Sequence, residues 1–166
     1  MQPIKIFTTG GTIDKVYFDA KSTYQVGEPN ISRVLAELPL DLDYTVTSVL
    51  RKDSLEMTPA DRDLLIAAVQ DAEEQQIIVT HGTDTMVATA KALQAVVKDK
   101  TIVLTGALEP ALFKTSDAMF NIGCAIAAVQ ALPEGAYITM NGRVFESNNV
   151  VKDLEKSRFV TLDDMS

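Results

Sequence analysis

The sequence has 166 residues and a formal net charge of −8, and 46% of its residues are hydrophobic. The length fits one domain, since domains usually have about 100–200 residues, and the negative charge argues against nucleic acid or an anionic membrane as a partner. No apolar run approaches the roughly 20 residues that span a bilayer, and the first residues lack the basic start of a signal peptide. We therefore expect a cytoplasmic globular protein.

Short apolar runs alternate with helical patterns along the chain. Strands are predicted at residues 4–7, 44–50, 77–79, 101–104 and 136–140, and helices around 34–38, from the cap at Thr58 to 72, at 86–97, and from Ser116 to near Pro133. This alternation predicts βαβ units, in which a mostly parallel sheet is covered by helices on both faces. The expected fold is a single three-layer α/β domain, Rossmann-like or flavodoxin-like. The polar segments 13–30 and 150–166 receive no predicted element.

Small and polar residues follow each predicted strand at its carboxyl end. These segments are residues 8–12, 53–54, 80–85, 105–107 and 141–142. In open α/β sheets, ligands bind in the crevice at this edge. Backbone amides in such loops stabilise a developing oxyanion, and those of Gly11 and Gly82 are the candidates here. The sequence thus predicts a small-molecule site at this edge.

The residue types at this edge restrict the chemistry. The chain has one histidine, His81, and one cysteine, Cys124, so Ser-His-Asp and Cys-His triads have almost no material. No His/Cys cluster favours a metal, and the loop after the first strand lacks the Gly-Lys-Ser/Thr ending of a phosphate-binding loop. Hydroxyl groups and one carboxylate, Asp84, remain. They indicate nucleophilic catalysis by a hydroxyl, activated by a tyrosine or lysine, with no metal or cofactor.

Two motifs at this edge resemble a known family. TGGTI covers residues 9–13, and HGTDT covers residues 81–85 directly after a predicted strand. Both are similar to the signature motifs of the bacterial-type L-asparaginase/glutaminase family, and the similarity continues through Ser54 and TGA at 105–107 to Lys152. It covers nearly the whole chain but only the N-terminal domain of the family. The resemblance implies an N-terminal-type domain over residues 1–166, with the usual second domain absent.

The resemblance implies catalytic roles for threonines. Thr12 would attack the side-chain amide carbon, release ammonia and leave an acyl-enzyme. Tyr24 would help to move the proton of Thr12, with Tyr17 as a competitor for this role. Thr83 would form a second hydrogen-bonded group with Asp84 and Lys152, and the sequence leaves open which threonine attacks first.

The resemblance also implies a set of substrate contacts. Ser54 would hold the α-carboxylate of the substrate, and Asp84 would pair with its α-ammonium group, aided by Glu56 or by an acid of a neighbouring subunit. Leu55 stands where the family usually has a polar residue that contacts substrate. The remaining substrate-binding positions are predicted at Gly11, Gly82 and Ala107.

The same residues also allow structural roles. Residues 83–85 would cap the helix that begins near Met86, and we expect His81 to be a structural hydrogen-bonding residue rather than a base. A buried Lys152 needs a partner such as Asp84, because an unpaired buried ammonium is costly.

The expected function is hydrolysis of L-asparagine, with L-glutamine as a poorer substrate, by a homo-oligomer. The alternatives are a catalytically weak module that binds an amino acid or amide, and a nucleotide-binding flavodoxin-like protein.

Overall fold

The main feature of the molecule is a twisted, mostly parallel sheet. The computed structural model describes residues 1–165. Its strands are β1 (Ile4–Gly10), β2 (Lys15–Phe18), β3 (Thr23–Val26), β4 (Tyr44–Lys52), β5 (Gln76–Thr80), β6 (Thr101–Thr105), β7 (Gly135–Met140), β8 (Arg143–Glu146), β9 (Val151–Asp153) and β10 (Arg158–Val160). The main sheet has the order β4-β1-β5-β6-β7-β8. All of its pairs are parallel except β7 with β8.

The antiparallel edge strand follows from a tight turn. Met140 pairs with Arg143 across the two residues Asn141 and Gly142, whose φ angles are 55° and 74°. Two successive positive φ angles define the hairpin turn that Asn-Gly favours, because its twist matches that of the flanking strands. The turn leaves Asn141 at the carboxyl edge of the sheet.

Four α-helices connect the strands of residues 1–165. They are α1 (Ile31–Ala36), α2 (Pro59–Asp71), α3 (Met86–Val96) and α4 (Ala118–Ala131). The cap predicted for α2 is confirmed: the Thr58 hydroxyl accepts from the Asp61 N–H, and the Asp61 carboxylate accepts from the Thr58 N–H. Reciprocal bonds of this kind satisfy donors that the first helical turn leaves free.

The helices cover both faces of the sheet, as the alternating pattern predicts. Ile77 and Val79 of β5 point into a core cluster that also contains residues of α2 and α3. Ile78, between them, points into the opposite cluster, which contains residues of α1 and α4. A strand that is buried on both faces has to be apolar at every position. The predicted three-layer α/β fold is confirmed.

Two hairpins lie where the sequence predicts no element. The β2–β3 hairpin falls in the polar segment 13–30, and the β9–β10 hairpin falls in the segment 150–166. Their strands have three or four residues each, too short for an alternating pattern to stand out. Both matter for the site, because β3 carries Tyr24 and β9 carries Lys152.

No helix within residues 1–165 is long and apolar enough to cross a membrane.

Candidate active site

The TGGTI and HGTDT motifs lie at the carboxyl ends of β1 and β5, the neighbouring strands at which the strand order of the sheet reverses. From β1 the chain passes to β4 on one side, whereas from β5 it passes to β6 and β7 on the other. The crevice between such oppositely directed crossovers is the usual ligand site of open α/β sheets. Because β1 and β5 are neighbours, the loops that follow them lie side by side.

Two glycines bring these loops into backbone contact. Gly11 has a φ of 84°, and a Cβ added to it would lie 2.5 Å from the Gly82 nitrogen and Cα. A Cβ added to Gly82 would lie 2.6 Å from the Cβ and Oγ of Ser54. Only glycine allows this approach, because a Cβ at Gly11 would collide with backbone and a Cβ at Gly82 would collide with the Ser54 side chain. Thr12 and Thr83 each follow directly after the contact point, and Ser54 adjoins it.

Lys152 links the second threonine to a carboxylate. Its Nζ donates to Thr83 Oγ1 at 2.8 Å and to Asp84 Oδ1 at 2.8 Å. The Lys152 side chain is 16% exposed, and Thr83 is buried. The pairing that a mostly buried ammonium requires is therefore present, and the group lies at the edge of the cleft.

The position of Lys152 depends on a neighbouring turn. Lys152 pairs with Phe159 across the β9–β10 hairpin, and Phe159 and Val150 are both buried in the main core. The Phe159 N–H donates to Asn141 Oδ1 at 2.7 Å, so the turn at the end of β7 fixes the hairpin. Residues 141–142 are among the polar segments predicted at this edge, but the sequence carries no signal for this anchoring role.

Ser54 is tied to the HGTDT motif. Its Oγ accepts from the Thr85 N–H at 3.3 Å, and its carbonyl accepts from Thr85 Oγ1 at 2.9 Å. The Thr85 hydroxyl is therefore directed at Ser54, and α3 has no side-chain cap bond. The capping role considered for residues 83–85 is wrong, since these side chains bond to Ser54 and Lys152 instead.

His81 is a buried hydrogen-bonding residue, as expected. Its Nδ1 lies 2.7 Å from the Gly82 carbonyl oxygen and its Nε2 lies 2.8 Å from Thr89 Oγ1. Burial lowers the pKa of His81 to about 4, because desolvation disfavours the charged ring. The imidazole is neutral at pH 7.

Tyr24 lies on the exposed β2–β3 hairpin. Its ring contacts Tyr17, its partner across the hairpin, and Phe113. Among the described residues, Tyr24 makes no hydrogen bond to Thr12. The proton-moving role of Tyr24, and its preference over Tyr17, stay predictions.

The base of this hairpin is fixed by a buried carboxylate. Asp14 Oδ1 accepts from the Asn30 N–H at 2.8 Å, and the Asp14 carbonyl accepts from the Gly27 N–H at 2.8 Å. Burial raises the pKa of Asp14 to about 6, against the opposing effects of the Asn30 bond and of Arg51. Asp14 ends the short 3₁₀ turn that begins at Thr12, so both ends of the hairpin join close to the predicted nucleophile. The sequence carries no signal for this role of Asp14.

The two remaining predicted substrate residues lie in contrasting places. Leu55 is 72% exposed, whereas Ala107 is 1% exposed and packs in the core cluster beside α4. The adjoining Gly106 carbonyl accepts from Asn121 Nδ2 at 2.9 Å. Substrate contact by Leu55 and by Ala107 stays a prediction.

Within residues 1–165, no group of three or more His, Cys, Asp or Glu residues is placed to hold a metal ion.

The geometry and the two motifs agree with a family assignment. The model of the family domain "Asparaginase, N-terminal" matches residues 3–163. The chain belongs to the asparaginase family. The resemblance that the TGGTI and HGTDT motifs indicate is confirmed.

The family includes curated relatives that are longer than this chain. The chain is 28% identical to the glutaminase-asparaginase of Acinetobacter glutaminasificans over 164 residues, which are 91% of this chain and 50% of the relative. It is 32% identical to L-asparaginase 2-3 of Saccharomyces cerevisiae over 155 residues, covering 85% of this chain and 42% of the relative. The chain thus spans about half the length of the curated relatives it matches.

Solved structures of asparaginases share the fold. The thermostable L-asparaginase from Thermococcus kodakarensis superposes with a TM-score of 0.84 at 25% identity, over 96% of this chain and 51% of that one. The probable cytoplasmic L-asparaginase from Campylobacter jejuni gives a TM-score of 0.84 at 28% identity, over 97% and 54%.

Proposed function

We propose that this chain hydrolyses the side-chain amide of L-asparagine to L-aspartate and ammonia. The observation that carries the proposal is the Lys152 ammonium, which contacts the Thr83 hydroxyl and the Asp84 carboxylate beside the glycine contact. An amidohydrolase needs a nucleophile, a route for its proton and donors for the oxyanion. The family relatives that are named L-asparaginase and glutaminase-asparaginase support this substrate class.

The first half-reaction uses Thr12 as the nucleophile. Its oxygen adds to the amide carbon, the carbon–nitrogen bond breaks, and the threonine proton passes to the leaving nitrogen, so that ammonia departs. Tyr24 carries this proton when the hairpin closes over the bound substrate. The Gly11 N–H donates to the Lys52 carbonyl at 2.9 Å, so the Gly82 N–H is the donor that remains for the oxyanion of the tetrahedral intermediate, where fixed donors have their largest effect.

The second half-reaction hydrolyses the aspartyl ester on Thr12. Lys152 donates to Thr83 Oγ1, so the hydroxyl proton of Thr83 points away from the lysine and is free to orient the attacking water. Water adds to the ester carbon, the bond to Thr12 breaks, and Thr12 regains a proton. In the reverse assignment, which the chain also allows, Thr83 attacks first and Thr12 assists.

Two groups at the edge suit an α-amino acid. Ser54 Oγ accepts from the Thr85 N–H, so its own proton is available to the substrate α-carboxylate. The Asp84 side chain is 39% exposed beside Lys152 and pairs with the α-ammonium group. L-Glutamine is the poorer substrate, because its longer side chain places the amide carbon farther from these anchors.

The test is an ammonia-release assay with L-asparagine, L-glutamine and simple amides at millimolar concentration. We expect release from L-asparagine first, and loss of release in Thr12→Ala protein purified in the same way, which controls for contaminating host enzymes. No release from any amide, or full activity in Thr12→Ala, would overturn the proposal.

A weak amino-acid-binding module is the second candidate. It is favoured by Leu55, which presents an exposed apolar side chain next to Ser54. Calorimetry separates the two functions, because tight binding of L-aspartate or L-asparagine without turnover supports the module.

We also propose that the protein acts as a cytoplasmic homo-oligomer, in which a neighbouring subunit completes the grip on the α-amino group. Analytical ultracentrifugation during turnover tests this, and an active monomer would contradict it.

A further inference from the structure

A chain of hydrogen bonds leads from α2, through α3, to the Gly82 carbonyl in the HGTDT motif. Arg62 Nε of α2 donates to Thr89 Oγ1 of α3 at 3.2 Å. Thr89 Oγ1 lies 2.8 Å from His81 Nε2, and His81 Nδ1 lies 2.7 Å from the Gly82 carbonyl. Thr89 and His81 are fully buried, so these bonds are shielded from water.

The partners fix the direction of every bond. The Gly82 carbonyl can only accept, so the proton of the neutral imidazole sits on Nδ1. Nε2 is then an acceptor, and the Thr89 hydroxyl donates to it. The guanidinium of Arg62 can only donate, so it holds the lone pairs of the Thr89 oxygen toward itself and turns the hydroxyl proton toward His81.

We infer that Arg62 and Thr89 are positioning residues, which hold His81 as its Nδ1–H tautomer and thereby fix the peptide plane that carries Thr83. The Gly82–Thr83 peptide is planar, so a carbonyl held by His81 also sets the direction of the Thr83 N–H. Thr83, whose hydroxyl accepts from Lys152, is the residue that carries this N–H. The link to catalysis rests on the proposed function, whereas the link to the tautomer does not.

Other features of the fold agree with this role. Burial together with the positive charge of Arg62 lowers the pKa of His81. The ring therefore stays neutral and carries one proton, whose position the hydrogen bonds decide. Without Arg62, the Thr89 hydroxyl is free to turn toward the carbonyl of its own helix, as threonines in helices do. It then accepts from His81 Nε2, and an Nε2–H tautomer, which gives up the Nδ1–H bond to the Gly82 carbonyl, becomes available.

The experiment is a nitrogen-15 NMR study of the imidazole, in which the single histidine of the chain removes any assignment problem. In the native protein we expect a protonated Nδ1 and an unprotonated Nε2, with no titration between pH 5 and pH 8. In Arg62→Met we expect mixed tautomers, and in both Arg62→Met and Thr89→Val a shifted Thr83 amide resonance. Thr89→Ser, which keeps the hydroxyl, restores the native spectrum, and Arg33→Met is the matched surface control.

Kinetics complete the test. In Thr89→Val we expect kcat for L-asparagine to fall by about tenfold to a hundredfold with little change in KM, because small displacements of catalytic groups act on kcat. An Nε2–H tautomer in the native protein would overturn the inference, as would unchanged His81 and Thr83 signals in both variants. If the native chain releases no ammonia, the proposed function fails, while the NMR result still decides the tautomer.

Discussion

The two sides of the cleft differ in how firmly their side chains are held. On the β5 side, Thr83 is bonded to Lys152, and Thr85 is bonded twice to Ser54. On the opposite side, the β2–β3 hairpin is mostly exposed and is fixed at its base by Asp14. Segments with few buried contacts open more readily than the core. The β5 side is thus preorganised, whereas the proposed proton transfer by Tyr24 requires the hairpin to move.

Removal of the Lys152 ammonium is the most severe change on the β5 side. In Lys152→Met, Thr83 and Asp84 lose their common partner, and we expect kcat to fall about a thousandfold, within the range for a proton-transfer group. Ammonia release measures it. Lys156→Met is the control, because the Lys156 side chain is 61% exposed and its Nζ lies as far as 4.0 Å from Asp153 Oδ2. Activity within twofold of native in Lys152→Met would show that the Lys152 ammonium is not needed for catalysis.

The two sides also carry buried groups of opposite pH dependence. The folded-state pKa of His81 is about 4, below its ordinary 6.5, so its contribution to stability is lost as pH falls from about 6.5 to 4. The folded-state pKa of Asp14 is about 6, above its ordinary 3.8, so its contribution is lost as pH rises from about 3.8 to 6. The two effects oppose each other in the native chain.

Asp14→Asn removes one of these opposing effects. We expect its free energy of unfolding, relative to the native chain, to rise by about 2 kcal/mol between pH 4 and pH 6, since each pKa unit corresponds to about 1.4 kcal/mol and most of the shift falls in this range. Urea unfolding at several pH values measures the difference. Parallel curves for the two proteins would mean that Asp14 is ionised throughout this range.

The hairpin side is tested by its tyrosine pair. Tyr24 and Tyr17 are opposite each other and about equally exposed. If Tyr24 moves the proton, Tyr24→Phe lowers kcat by about a hundredfold, whereas Tyr17→Phe stays within about twofold of native. Equal effects of the two substitutions would assign the hairpin a packing role only.

The smallest expected effects concern glycines. In Gly82→Ala the new methyl group meets Ser54 at 2.6 Å, and we expect a loss of about 2 kcal/mol in unfolding free energy. Gly123 of α4 has no atom within 4 Å of an added Cβ, so Gly123→Ala gains about 1 kcal/mol from helix propensity. Thermal unfolding measures both, and equal signs would contradict the close packing of the loops.

The sequence predicts the sheet and the location of the site for a simple reason. Buried strands such as β5 are apolar at their central positions, and loops at the carboxyl edge have to meet once the strands are parallel. The contact of Lys152 with Thr83 joins residues 69 positions apart, and only the family resemblance indicates it.

Other parts of the site have no signal in the sequence. The strands of the β9–β10 hairpin are too short to show an alternating pattern. The sequence around Asp14 is typical of a turn, and only the fold brings the Asn30 N–H to its carboxylate. Arg62 in α2 has the pattern of a solvent-exposed helix residue, although its guanidinium reaches Thr89. Tertiary contacts decide each of these cases.

A crystal structure of the protein with bound L-aspartate would show whether the two threonines act on one substrate. We expect the side-chain carboxylate of the product to lie between Thr12 Oγ1 and Thr83 Oγ1, within about 3.5 Å of each, as reacting groups require. Product bound elsewhere, or Thr12 and Thr83 hydroxyls that open onto separate surfaces, would show that the two threonines do not share an active site.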